Sequence, residues 1–241
     1  MSAANSNLIA EARESHLWLT IDRAEKANAL TVDLMEAITG AIVGAANDAK
    51  VRAVLVIGAG ERVFCAGVDV REPPQDGNVS RHRERRSAAL AALQDAVLDT
   101  PKPVVAVLSG IASGGGAMLA LLADACVAVD TAQLSIPEID LGIATFSGAN
   151  ILEVIGGRAL ALDLVQSGRR MPAAEALTRG LITAVVARDE LYARASAMAE
   201  RLAAKDARAF AENKRWINRA LKAALAEARE EHARHRTQAR G

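Results

Sequence analysis

GIASGGGAML, residues 110–119, sets three consecutive glycines between a short apolar run and a tail that carries no charge. Glycine runs cost backbone entropy and persist where another group must approach the main chain closely or where φ must be positive. Upstream, KPVVAVLSG is rich in Val and reads as a buried strand; downstream, GGAMLALLAD reads as a helix and ACVAVD as a further strand. The order strand, glycine loop, helix, strand predicts a mostly parallel sheet with helices packed on it. From Pro103 to Ala123 no residue is charged, about the length that spans a bilayer. Three glycines in the middle, a proline at the start and Val clustered before the glycines favour strand, loop and buried helix over a membrane span.

Working outward, LIAEARES and HLWLTIDR alternate as an antiparallel strand pair with a turn near Glu14 and Ser15. Thr31 caps a helix whose apolar stripe is Leu34, Ile38, Ile42 and Ala45. RAVLVIGAG is another buried strand, and a second glycine-bearing loop, ERVFCAGVDV, follows it. The polar, basic stretch REPPQDGNVSRHRERRS reads as a mobile loop before Leu90, Leu93 and Val97 restore helical spacing. IPEIDLGIATFSGANILEVIG has too many interruptions for one element. RALALDLVQSG, PAAEALTRG, 189–203 and 206–230 read as helices. The whole is an α/β core with a helical C-terminal region.

The chain has 241 residues, 51% of them apolar and only 2% aromatic, so base stacking has no support. Twenty-nine basic residues balance 29 acidic ones, which gives no electrostatic reason to expect nucleic acid or an anionic membrane as partner. Cys65 and Cys126 stand far apart without metal-ligand spacing, which argues against zinc and against a disulfide framework and for a reducing, cytoplasmic setting. MSAANSN lacks the basic and apolar regions of a signal peptide and reads as a frayed tail, and the C-terminal ARG is no peroxisomal address.

Two glycine loops at strand carboxyl ends can aim unpaired backbone N–H groups at one point, where ligands bind in open parallel sheets. The competing reading is that the glycines only permit tight turns. No GK[ST] follows, and GIASGGGA departs from GxGxxG, so a carbonyl oxygen suits these donors better than nucleotide phosphates.

AEKANALTVDLMEAI, VLVIGAGERVFCAGVDV, KPVVAVLSGIASGGGAMLALLADACVAV, AQLSIPEIDLGI and GRRMPAAEALTRGLITAVV, in that order, resemble the crotonase or enoyl-CoA hydratase/isomerase superfamily from about Leu8 to Ala220. The resemblance implies a ββα superhelix, an acyl-CoA thioester substrate with CoA as part of it and no separate cofactor or metal, and a homotrimer or hexamer. It divides the chain into a core of residues 1–190 and a shortened helical trimerisation region, 191–241. It further implies that the N–H groups of Val68 and Gly115 form an oxyanion hole, an arrangement whose single donors are worth about 3 to 4 kcal/mol of barrier. Lys26, Ala27, Ala66, Asp69 and Val70 match positions that bend and bind CoA, with Gly67 and Gly114 beside them; Asp69 reads as fixing the loop rather than reacting.

Hydratases of this superfamily use two glutamates. Here the first position is Met118 and the second survives as Glu138. A thioether cannot ionise, and losing one acid–base partner costs roughly 10² to 10⁴ in rate. A double-bond shift needs one carboxylate, so the resemblance favours a Δ3,Δ2-enoyl-CoA isomerase with Glu138 as proton shuttle. Met118 and Phe146, with Thr145, shape the acyl pocket, although Met118 also fits plain core packing. Asp140 is the rival acid. Alternatives are a hydratase, another enolate-forming activity such as decarboxylase or thioester hydrolase, and a non-catalytic acyl-CoA-binding protein. His82 reads as part of a solvated basic face; His16, His232 and His235 have no catalytic companions, and Ser113 and Cys65 lack a base.

Overall fold

A computed structural model describes residues 7–238. Of MSAANSN, read as a frayed tail, residues 1–6 lie outside the described residues, as does the C-terminal ARG, while Asn7 is held, its carbonyl accepting from Asp22 N–H at 2.8 Å. The chain opens with the expected antiparallel pair, β1 (Leu8–Arg13) and β2 (His16–Ile21), turning at Glu14 with φ 55°. Helix α1 (Val32–Asn47) follows; Thr31 Oγ1 accepts from Leu34 N–H at 3.2 Å, and Leu34, Ile38, Ile42 and Ala45 are buried as the stripe requires. Then come β3 (Ala53–Gly58), β4 (Val63–Cys65) and α2 (Val79–Asp99). The pattern returns as β5 (Val104–Leu108), β6 (Ile111–Ser113) and α3 (Gly115–Leu122). It returns again as β7 (Ala125–Val129), β8 (Gln133–Ser135) and, after a 3-10 turn at Glu138–Leu141, α4 (Phe146–Gly156).

From β3 onward each ββα turn sends one strand to each of two sheets. The larger has the order β1-β2-β3-β5-β7-β10, parallel from β2 onward, with Val107 beside Val127 and Leu55 beside Val105. The smaller has the order β4-β6-β8-β9. This is the ββα superhelix that the resemblance implies. The charge-free span from Pro103 to Ala123 becomes β5, β6 and α3, and among the described residues no helix is long and apolar enough to cross a membrane.

The remaining elements are α5 (Arg158–Ser167), β9 (Met171–Pro172), α6 (Ala173–Thr178), β10 (Ala184–Val186) and α7 (Leu191–Ala203). Helix α7 lies against β3, β5 and β7, and Ala195 and Ala199 on its inner face are fully buried. Residues 206–230, read as one helix, are two: α8 (Ala207–Ile217) and α9 (Arg219–Gln238), which break at Asn218, whose amide donates to Leu98 O at 3.3 Å. Lys214 on α8 is buried and paired with Asp124 at 2.6 Å.

Two expectations along residues 71–87 are corrected. Residues 71–87 are not all loop, because α2 begins at Val79, capped by Asn78 Oδ1 accepting from Arg81 N–H at 3.0 Å. Arg81 and Arg83 are exposed, so the apolar period is absent there although the helix is not. His82 is buried rather than solvated, with Nε2 3.5 Å from Glu72 Oε2.

Candidate active site

The loops after β4 and β6 meet. Gly67 has φ +96°, and a Cβ there would come within 3.0 Å of Gly115 N. Gly114 has φ +52°, a conformation that an L side chain rarely adopts, and it passes the chain into α3. A Cβ on Gly115 would stand 3.1 Å from Val68 Cγ2 and 3.5 Å from Val68 N, so the two residues lie in close contact where the loop meets α3. Gly115 is the first residue of α3, where helical N–H groups have no intrahelical acceptor. A Cβ on Gly116 would collide with Cys65. Each of the three glycines therefore has its own close neighbour: Glu138, Val68 and Cys65.

The loop carrying Val68 is held from the other side. Ala66 N–H donates to Ala27 O at 3.0 Å, Leu30 N–H to Gly67 O at 2.8 Å and Asp69 N–H to Leu30 O at 2.9 Å. Asp69 pairs with Arg23 at 2.8 Å and accepts from Arg71 N–H at 3.1 Å, which accounts for its carboxylate without chemistry. Asn28, absent from the sequence-based set, is fully buried with φ 54°; its amide donates to Ala59 O and Val63 O.

A cavity of about 460 Å³ opens over these donors. Of the residues named from sequence, Ala66, Gly67, Val68, Val70, Gly114, Gly115, Met118, Glu138 and Phe146 line it; Lys26, Ala27 and Asp69 do not. Ala27 shapes the loop beneath, and Lys26 is exposed. Glu138 begins a 3-10 turn at the cavity wall, with its Oε1 3.0 Å from the Cβ position of Gly114. Its Oε2 is buried without a hydrogen-bond partner. Burial pushes the Glu138 carboxyl above the usual carboxylate range, opposed only by its own backbone N–H. Asp140, the rival acid, is exposed, points its carboxylate at Gly168 and is not a lining residue.

Met118 is buried on the wall of the same cavity, its Cε 3.0 Å from the Cβ position of Gly148. Its sulfur receives the Gln94 amide at 3.9 Å. Gln94 in turn accepts from Arg229 at 3.2 Å, and Arg229 makes two 2.9 Å bonds to Asp95. His232 joins the wall one turn along α9, edge-on to Phe146 at 6.1 Å, and His235 packs on the same ring at 5.9 Å. Gln94 falls on the Leu90, Leu93 and Val97 stripe, where a polar residue on a core-facing helix was the available signal. Arg229 stands four residues after buried Leu225 on α9 and gave the same signal. At the mouth, Arg86 from the basic half of α2 lines the opening; burial and the nearby charge of Arg83 lower its pKa.

Cys65 is no nucleophile: burial pushes its thiol up to about 12, and its sulfur accepts from Gly67 N–H at 3.4 Å. The Ser113 hydroxyl accepts from Ser135 Oγ at 3.1 Å. Among the described residues no cluster of metal-ligating side chains is found.

Residues 11–239 match the family described as enoyl-CoA hydratase/isomerase. The chain belongs to the enoyl-CoA hydratase/isomerase family. It is 35% identical over 210 residues to a probable enoyl-CoA hydratase of Rhizobium meliloti (strain 1021), covering 87% of this chain and 80% of that one. It is also 35% identical over 187 residues to a carnitinyl-CoA dehydratase of Salmonella enteritidis, covering 77% of this chain and 70% of that protein. Among solved structures, an enoyl-CoA hydratase from Mycobacterium avium subsp. paratuberculosis K-10 superposes with a TM-score of 0.83 at 31% identity, covering 94% of this chain and 87% of the other. As a member of this family the chain is an acyl-CoA enzyme.

Proposed function

We propose that this family member moves the double bond of a 3-enoyl-CoA thioester to the 2-position. The observation that carries the reading is one half-buried carboxylate at the glycine donors, Glu138 with a buried, unpartnered Oε2, facing a cavity whose next wall is the thioether of Met118. The thioester oxygen takes the N–H groups of Val68 and Gly115. Glu138 removes a proton from C2, and the C2–H electron pair forms the C2–C1 π bond of a dienolate as negative charge moves to the thioester oxygen. Collapse of the dienolate returns the proton from Glu138 to C4, leaving the double bond between C2 and C3. The proton balance closes on one carboxyl group and needs no redox or metal partner. Two preorganised N–H donors act where charge develops, which is where they lower the barrier most.

Supplying purified protein with 3-hexenoyl-CoA and separately with crotonyl-CoA tests the reading. Conjugation of the first without hydration of the second supports it, and hydration at comparable rate overturns it. The second reading, hydratase, is favoured by the names of the relatives above; the same experiment separates the two.

The proposal includes the assembly and setting. Exposed Ile139, Val154, Ile155 and Leu162 supply apolar surface for a homotrimer or hexamer, which light scattering would weigh. Free, buried Cys65 and Cys126 suit a cytoplasmic location.

A further inference from the structure

Asn28 is fully buried with φ 54°, directly after Ala27 with φ 53°. Two successive left-handed residues that carry side chains are costly backbone, and asparagine enters that region more readily than other side chains. Its carboxamide uses both of its donors. Nδ2 donates to Ala59 O at 2.9 Å and to Val63 O at 2.8 Å, while Oδ1 accepts from Arg23 N–H at 3.1 Å. Carbonyls can only accept and a backbone N–H can only donate, so the amide has one workable orientation. Gly58 leaves the space for it, since a Cβ there would stand 2.7 Å from Nδ2. One side chain thus joins the turn at residues 23–28 to the end of β3 and the start of β4.

The residues on either side of Asn28 hold the loop that carries Val68. Ala27 O accepts from Ala66 N–H at 3.0 Å. Leu30 forms a parallel bridge with Val68, donating to Gly67 O at 2.8 Å and accepting from Asp69 N–H at 2.9 Å. The direction of the Val68 N–H is therefore set by where residues 27–30 lie, and the Asn28 amide places them. We propose that Asn28 is a positioning residue for the thioester oxygen: its carboxamide fixes residues 27–30 and, through the Leu30–Val68 bridge, aims the Val68 N–H. This inference rests on the reading of the Val68 and Gly115 N–H groups as donors to that oxygen. Aim matters most where charge develops, so Asn28 acts on the enolate-like state far more than on the bound thioester.

Acetoacetyl-CoA, a 3-oxoacyl thioester whose enolate is seen by ultraviolet absorbance, tests this on the full chain. Donors at the oxygen favour the charged form, so the bound thioester should ionise at lower pH than the free one. Asn28→Gly accepts the backbone conformation but has no amide, and Asn28→Asp keeps the shape but turns an acceptor toward two carbonyls. Each should raise the pKa of bound acetoacetyl-CoA by about one unit, a tenfold loss of preference for the enolate, with butyryl-CoA affinity changed far less. A merely structural role would lower the folded fraction and the binding of both thioesters together, without moving the pKa of what remains bound. Wild-type hydrogen exchange needs no variant to fold. The Asn28 NH₂ and the N–H groups of Leu30 and Asp69 should share one protection factor, because one opening frees all three. A bound pKa unmoved in a folded variant, or an Asn28 amide that opens independently of Leu30 and Asp69, overturns the inference and leaves the donor reading intact. A wild type that does not bind acetoacetyl-CoA, or leaves its pKa at the free value, overturns both.

Discussion

Glu138 and Gly114 are complementary: the carboxylate oxygen of one stands 3.0 Å from where a side chain on the other would begin. The carboxylate proposed as the base is thus seated against bare backbone at the turn that leads into α3. Gly114→Ala puts a methyl group into that space and an L residue at φ +52°. Displacing a general base costs about 10²-fold or more in turnover. We expect 3-hexenoyl-CoA isomerisation to fall by that factor, with thioester affinity changed far less, and steady-state kinetics would show the split. Unchanged turnover would mean that the carboxylate is not held by this contact.

Replacing Glu138 by glutamine tests the base and its burial together. Turnover should drop by roughly 10² to 10⁴. Stability should move the other way. The folded carboxyl titrates above its unfolded value because burial disfavours its charge. The native state then holds more protons than the unfolded one between the two values, so wild-type stability falls as pH rises through that window. Thermal melts should show Glu138→Gln more stable than wild type at neutral pH, the gap closing below the ordinary carboxylate range. A variant less stable than wild type at neutral pH would contradict the account.

Met118→Glu restores an ionisable group opposite Glu138, with Gln94 already placed to donate to it. If the missing acid is what limits water addition, the variant should hydrate crotonyl-CoA measurably above wild type, as followed by loss of the conjugated absorbance. No gain with the fold retained would locate the limit elsewhere.

Lys214 and Asp124 form a buried pair whose Lys214 side chain is 4% exposed. Asp124 also accepts from Val104 N–H at 2.8 Å, tying α8 to the start of β5. Removing one partner leaves the other charged and unpaired, which costs about 3 to 5 kcal/mol. Chemical denaturation of Lys214→Ala should show a loss of that order, and replacing both partners with apolar residues should recover much of it.

The chain's topology was legible where the signal is local. Thr31, the 34–38–42–45 stripe and the Val-rich strands fix their elements through neighbours a few residues away. Helix α2 was half hidden because its first turns present arginines to solvent on one side and His82 inward on the other, which breaks the apolar period. Val68, Gly115 and Glu138 were found through family motifs, and the structure gathers them at one cavity. Gln94 and Arg229 escaped because their meaning depends on a contact across 135 residues of sequence. A polar residue on an apolar stripe announces a partner but does not name it.

That long contact also sets an order of events during synthesis. A chain emerging from its N-terminus displays the glycine turn and Glu138 well before Arg229 and His232 exist. Until they arrive, the Gln94 oxygen lacks its guanidinium partner and the cavity lacks a wall. The carboxylate is therefore made early and the enclosure late, which leaves the growing polypeptide with a proposed base that has no closed cavity around it.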